Sequence, residues 1–382
     1  MRQIVNLGVT FWMCLMFVPT VGLASNYPPE VTAKAAIVME AATGKVLYGK
    51  NETERRYPAS TTKIMTLITA LEYGKLDDTV TASANAANTE GSSLWLTQGE
   101  QLSMLDMLYG IMLISGNDAT VAVAEHISGS IDKFAGLMTE KAHAIGAENS
   151  NFMNSSGLPD ENHYTTAYDL AKITSYGFKN PLFTQIVSTE HKVIPWFGKD
   201  YDRDLYNENK LLWQYSGANG VKTGYTDAAG RCLVSAAQRN GVQIIVVVLN
   251  SELMWDDSIK LLDYGFSQVK QVPVVNRGDI LKTVTINQGK AGEVRLIATS
   301  DIVVAMADDE RDKFSTVIEA QNKLNAPVTL GQKLGAVKVL YNGKEVASSD
   351  LIADKSVTQK SFFGLLWGIV RGLLTFVIQT FA

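Results

Sequence analysis

The sequence predicts an α/β domain over residues 25–271, followed by a small all-β domain over residues 272–360. Three observations carry this reading. Between residues 60 and 176 apolar side chains recur every three or four positions, the period of a helix with one buried face. Past residue 220 the period changes, and two apolar runs flank Arg239-Asn240-Gly241, a turn suited to a tight hairpin. After residue 272 only short alternating runs remain, punctuated by glycine and by Asn342-Gly343. A chain of 382 residues accommodates two such domains at roughly 150 residues each.

The elements follow in order. Strands are predicted over 35–39 and 46–48, joined as a hairpin by Ala42-Thr43-Gly44-Lys45. A helix over 60–73 places Ile64, Leu67, Ile68 and Leu71 on one face and stops at Gly74. Further helices are predicted over 102–113, 119–127, 134–144 and 168–176, strands over 232–237 and 244–249, and an amphipathic helix over 256–266. In the second domain, runs at 284–286, 294–298, 303–306, 316–318 and 337–341 predict a β sandwich or barrel. That domain shows no cluster of convergent polar residues and reads as a spacer or docking module.

The two ends have a different character. Residues 1–24 combine Arg2, a short apolar run and small residues before a cut after Ala24, the pattern of a secretory signal peptide. Residues 361–382 carry a single charge, Arg371. In helical projection Ser361, Gly364, Gly368, Arg371, Gly372, Thr375 and Gln379 form a narrow polar or small stripe on an otherwise apolar surface. A membrane-spanning helix would hold Arg371 near the bilayer centre at a cost of roughly 2.5–3.5 kcal/mol. An amphipathic helix in the interface avoids that cost, and Lys355 and Lys360 add attraction to anionic lipid. The glycine stripe also permits a helix-dimer seam.

Composition narrows the function. A net charge of −5 speaks against a nucleic-acid partner. Two cysteines exclude a disulfide scaffold and a cysteine-based zinc site, and Cys232, in an apolar segment, is expected in the core. The four histidines lack the HExxH and HxH spacings, so no metal site and no cofactor is expected.

Ser60 and Lys63 stand three residues apart at the start of the first long helix, so one turn brings hydroxyl and amine to the same side. A serine there is a nucleophile if a neutral lysine removes its proton, which requires burial or a neighbouring cation. Alone this spacing is weak: Ser130 to Lys133 and Ser267 to Lys270 repeat it, and serine is a good helix cap. Order distinguishes Ser60. Ser115-Gly116-Asn117 and then Lys222-Thr223-Gly224 follow it; the latter triplet occurs once, although Ser83-Ala84-Asn85 offers a second SxN.

These three motifs, in this order, resemble those of the penicillin-recognising serine enzymes. The flanks Pro58-Ala59-Ser60-Thr61-Thr62-Lys63, Ser115-Gly116-Asn117-Asp118-Ala119, His163-Tyr164-Thr165-Thr166 and Lys222-Thr223-Gly224-Tyr225-Thr226 resemble the low-molecular-weight penicillin-binding proteins that are D-alanyl-D-alanine carboxypeptidases. The resemblance covers nearly the whole chain. It implies a β-lactamase-like catalytic domain, an antiparallel sheet packed with helices, with the small β domain and a terminal amphipathic anchor behind it. It also implies peptidoglycan stem peptides as substrate, β-lactams as covalent inhibitors, and a place on the outer face of the bacterial cytoplasmic membrane.

The resemblance further implies the residue roles. Ser60 attacks the penultimate D-Ala carbonyl, Lys63 is the base, and Lys222 keeps Lys63 neutral by repulsion. Ser115 relays a proton to the departing nitrogen and Asn117 orients Lys63. The backbone N–H groups of Ser60 and Tyr225 hold the oxyanion, Lys222 and Thr223 suit the terminal carboxylate, and Gly224 admits the substrate backbone. One feature departs from the pattern: no arginine lies between Arg239 and Arg277 to help hold that carboxylate. A β-lactamase reading lacks its ExxLN glutamate, since neither Glu190 nor Glu208 has that setting. An inactive wall-binding protein would have no need of three intact motifs. His163 is expected to be a loop histidine bonded to the start of the following helix, and Trp95, Trp196, Trp213 and Trp255 to be core or rim residues.

Overall fold

Strand Val242–Leu249 is apolar almost throughout because both of its faces are buried. Ile245, Val247 and Leu249 enter one core while Ile244, Val246 and Val248 enter another. The computed structural model describes residues 27–306 and 310–360, so the predicted leader (1–24) and terminal helix (361–382) lie outside the described residues. Val242–Leu249 is the central strand of a five-stranded antiparallel sheet, ordered Val46–Lys50, Ala35–Glu40, Val242–Leu249, Gly230–Arg239, Ala218–Thr226. The first core lies between the sheet and helices Lys63–Tyr73, Met104–Leu113, Asn117–Ser128, Ile131–Ile145, Ala167–Gly177 and Pro181–Ser188. Helix Met254–Ser267 covers the other face. The predicted α/β class, an antiparallel sheet between helices, is the fold observed.

Most predicted elements appear with small shifts. Asn240 and Gly241 turn the central hairpin with φ of 48° and 83°, the mirror-image turn whose twist matches the strands. The first long helix begins at Lys63, not Ser60, because a 3₁₀ turn, Ala59–Thr62, leads into it. The edge strand Ala218–Thr226, which carries Lys222-Thr223-Gly224, was not predicted as a strand. Neither were the hairpins pairing Thr79–Thr81 with Gln101–Ser103 and His191–Ile194 with Arg203–Tyr206.

The second domain is all β, and each of its five predicted runs lies in a strand. A six-stranded sheet faces the pair Lys270–Val275 and Ile302–Met306 across a core that includes Val284, Val294, Leu296, Val337 and Leu351. Strand Lys270–Val275 crosses the 271/272 boundary read from the sequence and pairs with Ile302–Met306. The seam with the first domain includes Ala305, which joins that domain's second core. Lys45 Nζ lies 2.7 Å from Glu310 Oε2, and Asn240 Nδ2 donates to Gln271 Oε1 at 2.7 Å. Among the described residues no helix is long and apolar enough to cross a membrane.

Candidate active site

The chain bends sharply just before Ser60. Ala59 has φ +49°, a left-handed conformation unfavourable for alanine, and is buried. Gly157, at φ +90°, packs against the bend: a Cβ there would fall 1.9 Å from the Ala59 carbonyl oxygen. The bend sets Ser60 in the 3₁₀ turn with Lys63 as the first α-helical residue. As the spacing predicts, their side chains meet, with Lys63 Nζ 3.0 Å from Ser60 Oγ.

Lys63 is completely buried, and its surroundings set its protonation. Nζ also lies 2.7 Å from Asn117 Oδ1 and 2.7 Å from the Ser156 carbonyl. Both of these partners only accept. A neutral amine has two N–H groups and one lone pair, so with both N–H groups spent the lone pair faces the Ser60 hydroxyl. Asn117 cannot turn its amide round, because Nδ2 donates to the Glu90 carbonyl at 2.7 Å. Burial above all, and then the charge of Lys222, hold Lys63 well below the ordinary lysine range, while Glu208 and Asp118 pull the other way. The expected repulsion between the two lysines is therefore present.

Asn117 begins helix Asn117–Ser128, just after Ser115 turns the chain with φ +65°. Its neighbour Asp118 accepts the backbone N–H groups of Leu94 and Leu96 at 2.8 and 2.9 Å and the Ser93 hydroxyl at 2.8 Å. This fixes the loop that carries Ser92 to the rim of the site.

Lys222, Thr223, Gly224 and Tyr225 lie on the edge strand. Gly224 packs on the nucleophile turn: a Cβ there would sit 2.9 Å from Ser60 N and 3.1 Å from Thr61 N. Glycine is thus required by the protein's own backbone, a reason different from the substrate approach expected from sequence. Lys222 is buried, its Nζ donating to Thr223 O at 3.2 Å and Oγ1 at 3.3 Å. Burial lowers its pKa too, against the pull of Glu208. Two arms of a groove meet at Ser60. One is lined by Ser92, Ser115, Glu208, Thr223, Gly224, Tyr225, Met254 and Trp255, the other by Gly91, Asn117, Ser156, Gly157 and the segment from Tyr225 to Ala228.

All eight predicted site residues therefore converge: Ser60, Lys63, Ser115, Asn117, Lys222, Thr223, Gly224 and Tyr225. The competing serines have other work. Ser83 and Ser130 cap helices by accepting from Ala86 and Lys133 N–H, and Ser267 ends Met254–Ser267. His163 does not reach the following helix, which Thr166 caps. Its Nδ1 accepts from Met153 N–H at 3.2 Å and its Nε2 lies 2.9 Å from Thr62 Oγ1, a neutral ring bracing the nucleophile turn. Burial pushes its pKa down to about 4. Cys232 is buried and its thiol is raised to about 11, as suits a core residue. Trp255 lines the groove, whereas Trp95 and Trp213 stand on the surface. The carbonyls of Glu90 and Ser156 and the carboxylate of Glu208 were missed, since no side-chain motif marks a carbonyl. Among the described residues no cluster of histidine, cysteine or acidic side chains is placed to hold a metal ion.

A serine hydroxyl 3.0 Å from the amine of a buried lysine, beside a glycine edge strand, is the arrangement that a Ser–Lys nucleophile and base would need. The family model for D-alanyl-D-alanine carboxypeptidase matches residues 23–252, and that for the penicillin-binding protein 5 C-terminal domain matches residues 270–359. The D-alanyl-D-alanine carboxypeptidase DacF of Bacillus subtilis is 35% identical over 350 residues, covering 87% of this chain and 88% of that protein. Its counterpart DacA of Haemophilus influenzae is 32% identical over 367 residues, 91% and 92% of the two chains. The crystal structure of penicillin binding protein 5 from Haemophilus influenzae superposes with a TM-score of 0.62 at 31% identity, covering 87% of this chain and 99% of that one. The chain belongs to the D-alanyl-D-alanine carboxypeptidase family and is a serine-type hydrolase.

Proposed function

We propose that this enzyme removes the terminal D-alanine from peptidoglycan stem pentapeptides through an acyl-enzyme on Ser60. The contact of Lys63 Nζ with Ser60 Oγ at 3.0 Å, its two other partners being the acceptors Asn117 Oδ1 and Ser156 O, is the observation that carries the reading. Ser60 Oγ attacks the carbonyl of the penultimate D-Ala as its proton passes to Lys63. Negative charge develops on the carbonyl oxygen, where the backbone N–H groups of Ser60 and Tyr225 receive it. Each such donor is worth on the order of 10²–10³ in rate. The C–N bond breaks as Ser115 relays a proton to the leaving nitrogen, and water then releases the tetrapeptide. Lys222 and the Thr223 hydroxyl receive the terminal carboxylate. A β-lactam presents a strained amide in the same pose but keeps its leaving group tethered, so its acyl-enzyme persists.

The leader at 1–24 would export the chain, and the amphipathic segment at 361–382 would hold it in the outer face of the cytoplasmic membrane. The catalytic domain ends and the β domain begins near residue 270. Incubation with a pentapeptide ending in D-Ala-D-Ala tests the activity: equimolar D-Ala and tetrapeptide are expected, and an intact pentapeptide contradicts the reading. Deleting 361–382 should move the protein from the membrane to the soluble fraction with its turnover of soluble peptide intact.

A further inference from the structure

The arm of the groove assigned above to the terminal carboxylate already holds a carboxylate. Glu208 Oε2 accepts from Thr223 Oγ1 at 3.1 Å and lies 3.6 Å from Lys222 Nζ. The backbone aims it there. Glu208 N–H donates to the Leu113 carbonyl at 3.0 Å, and both chain neighbours are buried asparagines. Asn207 Nδ2 donates to Thr189 O at 3.0 Å while its Oδ1 accepts from Asn209 N–H at 2.9 Å. Asn209 Oδ1 accepts in turn from Leu211 N–H at 3.2 Å. The glutamate side chain is 46% exposed, free to swing without burying its charge. No arginine or lysine is among the residues lining this arm, so Lys222, buried behind Thr223, is its source of positive charge. Glu208 offsets that charge where an incoming carboxylate needs it whole.

We propose that Glu208 is a specificity-determining residue that weakens the preference for a free carboxylate on the residue after the scissile bond. Peptides in which that carboxyl is an amide become substrates as well. A carboxamide brings N–H donors that the Glu208 carboxylate accepts, whereas a carboxylate must displace it against like-charge repulsion. The bond broken is the same: Ser60 takes the acyl group, and the amine leaves with the relayed proton. This inference rests on the proposed reading of the arm.

Matched acylated peptides ending in D-Ala-D-Ala and in D-Ala-D-alaninamide test it, with kcat and KM measured for the full chain and for Glu208→Gln. The wild-type enzyme should turn over both peptides. Glu208→Gln should raise the acid-to-amide ratio of kcat/KM about tenfold, the size of one partly screened charge pair, chiefly through a lower KM for the acid. Glu208→Ala should move the ratio in the same direction. An unchanged ratio overturns the inference. So does an equal change for both peptides, which would mean that Glu208 acts through Lys63 rather than on the leaving residue. A wild-type enzyme that cleaves neither peptide overturns the reading of the activity and this inference together.

Discussion

As the proposed base Lys63 must be neutral to act, and burial first, then the Lys222 charge, hold its pKa well below the ordinary lysine range. Acidification protonates it, so activity is lost as pH falls through its lowered pKa. Removing the neighbouring cation in Lys222→Ala relieves the repulsion and raises that pKa. The acid limb of the kcat/KM profile should then move to higher pH; a limb that stays in place would show that Lys222 does not govern the base. Lys63→Ala should slow acylation by about 10²–10⁴, the usual worth of a positioned base. Gly224→Ala places a methyl 2.9 Å from the Ser60 nitrogen, and neither backbone can yield cheaply. Displacing the nucleophile by an ångström costs about 100-fold in rate. Stopped-flow acylation should find that loss with an unaltered circular dichroism spectrum, and near-normal acylation would contradict the close packing.

Whole elements hold these side chains in place, and they differ in how well the sequence reveals them. The long helices were legible because apolar residues recur in them every three or four positions, although Lys63–Ala70 and Asn117–Ala124 prove buried all round. The central hairpin was legible because its turn needs two left-handed residues and has Asn240-Gly241. Ala218–Thr226 was not, since Asn219, Gly220, Lys222 and Gly224 are poor strand formers and only pairing with Gly230–Arg239 makes the segment a strand. Lys344–Ala353 was hidden similarly by Ser348, Ser349 and Asp350. The side chains proposed for catalysis stand out in the sequence because their types and order are distinctive. Glu208 could not, because only the tertiary fold carries it to Thr223. The loop at Leu94 and Trp95 depends on the hairpin bearing Arg203, whose buried guanidinium donates to Leu94 O at 2.8 Å and pairs with Glu100 at 2.7 Å. Arg203→Ala strands the Glu100 charge, so urea unfolding should show a loss of about 3–5 kcal/mol. A loss of less than about 1 kcal/mol would mean that this pair does not anchor the loop.

At the scale of the molecule, every residue assigned to the reaction precedes residue 270, and the β strands that follow meet the first domain along a seam. Burial works against the Glu310 charge, but Lys45 across the seam, together with Tyr341 and Lys313 beside it, lowers the Glu310 pKa from 4.5 to about 2. The stabilisation that these three partners give Glu310 is therefore complete above pH 4.5 and is lost as pH falls through about 2. Residues 27–269 alone should fold and acylate with penicillin; a folded fragment that cannot acylate would make the β domain part of the site. The central claim, that Ser60 is the nucleophile of a D-alanyl-D-alanine carboxypeptidase, is tested most directly by mass-spectrometric mapping of the adduct formed with penicillin. One penicilloyl group should appear on the peptide containing Ser60 and be absent from the Ser60→Ala protein. An adduct on another residue, or one that persists in Ser60→Ala, would contradict the account.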